Sequence, residues 1–254
     1  MTVFVDVIGR GPNLTLLHGW GMNGAVWNGV RDALAARYTL HIVDLPGHGH
    51  SQGASITTLD AMTDAVANAI PARGHVLGWS LGGQIALELA RRYAHRVDKL
   101  LLVATTPRFL RADDWPHAVL PAVLADFGAQ LTANTAATIK SFLALQVLSQ
   151  PNMRDMVASL QQALSSRGIP AAKALAAGLA LLQGNDLRTQ LQDISHTSLV
   201  LQGDHDALTP EPAGRWLAER LPQARYVMMP RAAHAPFLSH REAFLNEIDR
   251  FLAS

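Results

Sequence analysis

Cysteine is absent from this 254-residue chain, which excludes disulfide bridges, a thiol nucleophile and thiolate metal ligands together. Charge of one sign is lacking too: 21 Lys/Arg stand against 20 Asp/Glu, so there is no electrostatic footprint for nucleic acid or an anionic membrane. No apolar run approaches the roughly 20 residues that a membrane-spanning helix needs, and the Ala/Leu-rich stretch at 171–182 contains Lys173. The opening residues MTVFVDVIGRG contain no basic region followed by a long apolar stretch. A cytoplasmic protein without membrane contact is expected. The 11 histidines are scattered, without H-E-x-x-H or paired-ligand spacing. Neither a metal site nor a cofactor is expected.

What is present is an alternation. Short apolar runs lie at 3–8, 14–17, 40–43, 76–77, 100–104, 198–201 and 226–229, several of them separated by helical patterns. This argues for an α/β fold with a mostly parallel central sheet and helices on both faces. The first two runs are joined by Gly9, Arg10, Gly11 and Pro12, which reads as a hairpin-like link. From 107 to 186 the strand signal vanishes, and helical stretches follow near 117–131, 135–148, 153–166 and 171–183. Core segments at 1–106 and 187–254 with a helical cap inserted at 107–186 are expected. The cap should lie over the carboxyl ends of the strands, where ligands bind in open α/β sheets.

The pattern G-x-S-x-G occurs twice, as Gly78-Trp79-Ser80-Leu81-Gly82 and as Gly49-His50-Ser51-Gln52-Gly53. A nucleophile elbow needs a buried strand before the serine and a helix directly after it, so that the first helical N–H groups point at the reaction. Around Ser80 both are present, since the QIALELARRY run places Ile85, Leu89 and Tyr93 on one helical face. Around Ser51 the preceding run is broken by Pro46, Gly47 and Gly49, and helical periodicity resumes only near Leu59. Ser80 is therefore the expected nucleophile and Ser51 loop scaffolding.

A serine hydroxyl needs a base to take its proton and a third group to orient that base. Downstream, SLVLQGDHDALTP ends a strand and offers Asp204 and Asp206, and PRAAHAPF places His234 after the next strand. The chain order Ser, Asp, His matches the one known for such elbows. Asp206 is taken as the orienter, with Asp204 the alternative; a loop aspartate also stabilises turns. The early LTLLHGWGMN segment and the residue after the nucleophile point to the backbone N–H groups of Trp20 and Leu81 as oxyanion donors, a role that leaves their side chains unconstrained. His18, His48 and His50 read as loop-shaping residues, His205 and His240 as solvent-facing.

With these residues in place, the chain resembles the α/β-hydrolase superfamily through LLHGWG, DLPGHGHS, GWSLGG, GDHDALTP and AAHAPF, in that order. Within it, Trp20, Trp79, DDWP at 113–116 and FLALQ at 142–146 are similar to the carboxylesterases of biotin synthesis that demethylate a pimeloyl chain held on acyl carrier protein. The resemblance implies a serine esterase without cofactor, acting as a monomer. Its triad would be Ser80, Asp206 and His234 and its oxyanion donors Trp20 and Leu81, with Trp79, Phe142, Leu143, Ala144, Leu145 and Gln146 along the acyl chain. It also implies a transient carrier partner docked on the cap. Residues 107–190 hold seven Lys/Arg against five Asp/Glu, with Lys140 and Arg154 the docking candidates. Broad short-chain esterase or C–C hydrolase activity on the same fold, and a non-catalytic ligand receptor, are the competing readings.

Overall fold

The computed structural model describes residues 2–53 and 56–253; Met1, Ala54, Ser55 and Ser254 lie outside the described residues. Its strands are β1 (Val5–Ile8), β2 (Asn13–Leu17), β3 (Thr39–Val43), β4 (Gly74–Trp79), β5 (Val97–Val103), β6 (Ser198–Gly203) and β7 (Ala224–Met229). The helices are α1 (Asn28–Ala35), α2 (Leu59–Ala67), α3 (Leu81–Arg92), α4 (Pro121–Ala133), α5 (Thr135–Leu145), α6 (Met153–Ser166), α7 (Ala172–Gly184), α8 (Glu211–Arg220), α9 (Pro236–Ser239) and α10 (Arg241–Ala253).

The strands form one sheet in the order β1-β3-β2-β4-β5-β6-β7. All neighbours are parallel except β1, which runs antiparallel to β3. The expected hairpin between β1 and β2 does not form, because β3 lies between them. The glycine-rich link at 9–12 turns the chain but does not pair its flanks. Leu100–Val103 of β5 and all of β6 are buried, as expected of parallel strands covered on both faces. On those faces α1 packs with α10, α2 with α3, and α8 against β6 and β7.

The four cap helices α4–α7 all fall between β5 and β6. Where the chain leaves the core and returns to it, Leu187 N–H donates to Pro107 O at 2.9 Å and Arg108 pairs with Asp186 at 2.7 Å. At the far side Arg167, just past α6, reaches Asp6 at 2.9 Å and the fully buried Asp44 at 3.1 Å. Asp44 also accepts the N–H groups of Gly24 and His50 at 2.7 and 2.8 Å. Asn23 Nδ2 donates to Leu164 O at 3.1 Å. The cap is thus strapped to the core by charge and hydrogen bonds as well as by apolar packing.

Candidate active site

Ser80 joins β4 to α3 with φ 56° and ψ −119°, a backbone state that costs a non-glycine residue on the order of 1–3 kcal/mol and persists only where its surroundings enforce it. The enforcement is visible. Ser80 N–H donates to Val103 O at 3.0 Å, and Thr105 Oγ1 donates to Ser80 O at 2.7 Å. A Cβ on Gly78 would lie 2.2 Å from Gly82 O, and one on Gly82 2.5 Å from Leu17 O. The turn closes only because both flanking positions are bare.

Asp206 follows β6 and meets His234, which follows β7: Nδ1 of His234 lies 2.8 Å from Asp206 Oδ2, with both side chains almost wholly buried. A carboxylate only accepts, so Nδ1 carries the proton and Nε2 keeps its lone pair. The carboxylate is fixed on both oxygens. Leu208 and Thr209 N–H donate to Oδ1, each at 2.9 Å, while Thr209 Oγ1 and Gln202 Nε2 donate to Oδ2 at 2.7 and 2.9 Å. Asp204 is exposed and accepts the N–H of Arg231, so it shapes the turn before the histidine and does not orient it. Among the described residues no hydrogen bond joins Ser80 Oγ to the imidazole. Such contacts often tighten only when substrate binds.

Trp20 follows Gly19, which packs against Ser80 and Trp79, and Leu81 opens α3 directly after Ser80. Among the described residues neither N–H has a hydrogen-bond partner. The loop bearing Trp20 is shaped by His18, fully buried. Leu45 N–H donates to its Nε2 at 2.9 Å, so its protonated Nδ1 donates to Gly19 O at 2.8 Å. Burial above all, then the neighbouring His48, pushes the His18 pKa down to about 3. Ser51 is buried; it accepts Phe4 N–H at 2.8 Å and donates to Asp44 O at 2.6 Å. His48 and His50 also shape this loop, and His205 is exposed. His240, expected in solvent, is half-buried and hydrogen-bonded to Ser239.

The expected pocket residues separate. Phe142 and Leu145 join Trp20, Phe127, Leu179 and Leu182 around an apolar cavity of about 70 Å³ under the cap. Leu143 faces the α6 side beside Ile139 and Leu164, and Ala144 faces an outer groove. Gln146 is buried and its carbonyl accepts the N–H of Ala235 at 3.1 Å. Helical geometry explains this: five consecutive residues go once round the axis, so only those three or four apart share a wall. Trp79 is likewise not on the cavity wall. Its indole is 1% exposed, donates to His234 O at 2.8 Å and packs edge-on against Phe237, propping the histidine loop from below. Lys140 and Arg154 line one exposed groove of about 860 Å³ between α5 and α6, which Asp155 shares. Neither makes an ion pair among the described residues.

Sequence reasoning missed Gln202 and Thr209. A signal existed, since Gln202 is a polar residue in an otherwise apolar strand end. It also gave no partner for the Trp20 side chain, whose indole is 2% exposed and whose Nε1 donates to Leu175 O at 2.9 Å. Among the described residues there is no cluster of three or more His, Asp or Glu able to hold a metal ion, and no helix is long and apolar enough to cross a membrane.

Comparison with known proteins finds relatives along the whole chain. The chain is 41% identical to a pimeloyl-[acyl-carrier protein] methyl ester esterase of Nitrosomonas europaea, over 98% of both chains. It is 43% identical to the protein of that name from Aeromonas hydrophila, over 99% of this chain and all of that one. Among solved structures, an esterase from Exiguobacterium antarcticum superposes with a TM-score of 0.90 at 21% identity, covering 99% of this chain and 96% of that one. A bromoperoxidase from Bacillus anthracis does so with 0.90 at 19%, covering 99% and 95%; at such identities the likeness concerns the fold alone. Residues 12–241 match the sequence profile of the alpha/beta hydrolase fold, and the chain belongs to that family.

Proposed function

We propose that this protein is a serine carboxylesterase that removes the methyl group from a pimeloyl methyl ester carried on acyl carrier protein, a step toward biotin. The observation that carries the reading is the His234–Asp206 pair, with its carboxylate fully hydrogen-bonded, beside a serine held on a strained elbow. The full-length relatives named for that reaction support the substrate. Ser80 Oγ attacks the ester carbonyl while His234 Nε2 takes its proton, and the N–H groups of Trp20 and Leu81 hold the oxyanion. Collapse expels the methoxy group, protonated by His234, as methanol. Water, deprotonated by the same nitrogen, then attacks the acyl-enzyme and releases the carboxylate.

The apolar cavity beside Trp20 suits part of a methylene chain. Residues 107–186 act as the cap, and Lys140 and Arg154 provide its positive face for an acidic carrier in the cytoplasm, with the enzyme working as a monomer. The test is incubation of the purified chain with a pimeloyl-carrier methyl ester. One methanol per new carboxylate is expected, along with growth of a biotin-requiring strain that lacks its own esterase. Hydrolysis of small methyl esters without either result would make it a broad short-chain esterase.

A further inference from the structure

The loop that carries the proposed oxyanion donor is held by the cap. The Trp20 indole donates to Leu175 O of α7 and meets Phe127 of α4 and Phe142 of α5 edge-on, at centroid distances of 5.5 and 4.9 Å. Three of the four cap helices therefore grip one side chain, while its main chain stays in the loop after β2. Gly178, one turn beyond Leu175, makes the fit possible. A Cβ at this position would lie 2.7 Å from Trp20 Cδ1 and 3.0 Å from Nε1. Glycine inside a helix costs about 1 kcal/mol relative to alanine, and α7 is otherwise rich in alanine. Its glycine stands where the indole lies against the helix. The same indole lines the apolar cavity, so whatever fills that cavity presses on the residue whose N–H is the proposed oxyanion donor.

We propose that Leu175 and Gly178 are positioning residues for the oxyanion hole. Through the Trp20 indole the cap sets the direction of the Trp20 N–H, so the fit of the acyl chain is expressed in turnover and not only in binding. The inference rests on the reading of Trp20 as an oxyanion donor. A cap that merely bound the chain would affect KM alone.

The test compares Gly178→Ala, Trp20→Phe, Trp20→Ala, the double variant of Gly178→Ala with Trp20→Ala, and Gly184→Ala on methyl butyrate and dimethyl pimelate, together with the affinity of butylboronic acid. The boronic acid forms a tetrahedral anion on the serine and needs the oxyanion donors. Gly178→Ala should lower kcat about tenfold or more on both esters and weaken the boronic acid in proportion, with KM moving less than about threefold. Trp20→Phe keeps a ring but loses the hydrogen bond to Leu175, and should show the same signature more mildly and independently of any folding defect in Gly178→Ala. Trp20→Ala leaves no ring carbon for the new methyl to strike, so the double variant built on it should return to the level of Trp20→Ala alone. Gly184→Ala, on the same helix with no neighbour within 4 Å of its Cβ, should match the parent. A loss confined to KM or to the longer ester, unchanged boronic acid affinity, or additive losses in the double variant would each overturn the proposal. If the parent hydrolyses neither ester, the esterase reading fails and this inference falls with it.

Discussion

Thr209 holds Asp206 at both ends of its carboxylate: its hydroxyl donates to Oδ2 at 2.7 Å and its N–H to Oδ1 at 2.9 Å. Thr209→Val keeps the shape and the N–H but removes the hydroxyl donor. It should lower kcat/KM about tenfold, the worth of one hydrogen bond to a charged group. Asp206→Asn should cost about ten-thousandfold, by disturbing the tautomer and the charge balance of His234. Asp204→Asn, at an exposed turn, should stay within about threefold. Steady-state kinetics on one soluble methyl ester ranks the three variants, and equal, mild losses for both aspartates would remove Asp206 from the triad.

The two serine motifs separate by a different readout. Ser80→Ala should abolish fluorophosphonate labelling and reduce hydrolysis by several powers of ten with an unchanged melting temperature. Ser51→Ala should label normally but lose about 1–3 kcal/mol of stability, because it leaves Phe4 N–H and Asp44 O without a buried partner. A labelled peptide containing Ser51 would reverse the assignment.

His18 gives the stability a pH dependence of known sign. Its pKa is about 3 in the folded protein against an ordinary 6.5. Below pH 6.5 the unfolded chain therefore binds a proton that the folded chain refuses. Stability from this group falls as pH drops from about 6.5 to about 3, reaching a loss of about 2 kcal/mol at pH 5. Urea titrations at pH 7 and pH 5 should show the parent losing more stability on acidification than His18→Asn, by roughly that amount. Parallel losses in the two proteins would contradict a buried neutral imidazole.

Lys140 and Arg154 are far apart in sequence but share one groove. Reversing both charges should raise the apparent KM for a pimeloyl-carrier methyl ester several-fold, more strongly at low salt, and leave a small methyl ester untouched, since exposed charges act through screened long-range attraction. Identical behaviour toward both substrates would put the carrier elsewhere.

How much of this was legible in the sequence depended on whether the signal was local. All seven strands and the four cap helices follow from periodicity, and the elbow from glycines that the turn demands at Gly78 and Gly82. Pairing is not local: the link at 9–12 looks like a hairpin, yet β3 intervenes between its flanks. Nor is it local which face of a helix meets a cavity. That is why Phe142 and Leu145 line the cavity beside Trp20 while Leu143 and Ala144 line two others. The hydrogen bond from the Trp79 indole to His234 O was illegible for the same reason, since only the assembled fold brings the two together.

The carbonyl of Gln146 that accepts Ala235 N–H, with the Gln150 side chain donating to Arg231 O at 2.8 Å, joins the end of α5 to the loop bearing the proposed base. For protein engineering the seam between cap and core therefore does not lie only at residues 107 and 186. It also runs through the histidine loop. A foreign cap grafted at those two points would arrive without these contacts and give chimeras whose triads are intact in sequence but poorly aligned in space. Exchanging single side chains that face the cavity proposed for the acyl chain, such as Leu179 or Leu182, leaves the seam closed and is the sounder route to a new acyl preference.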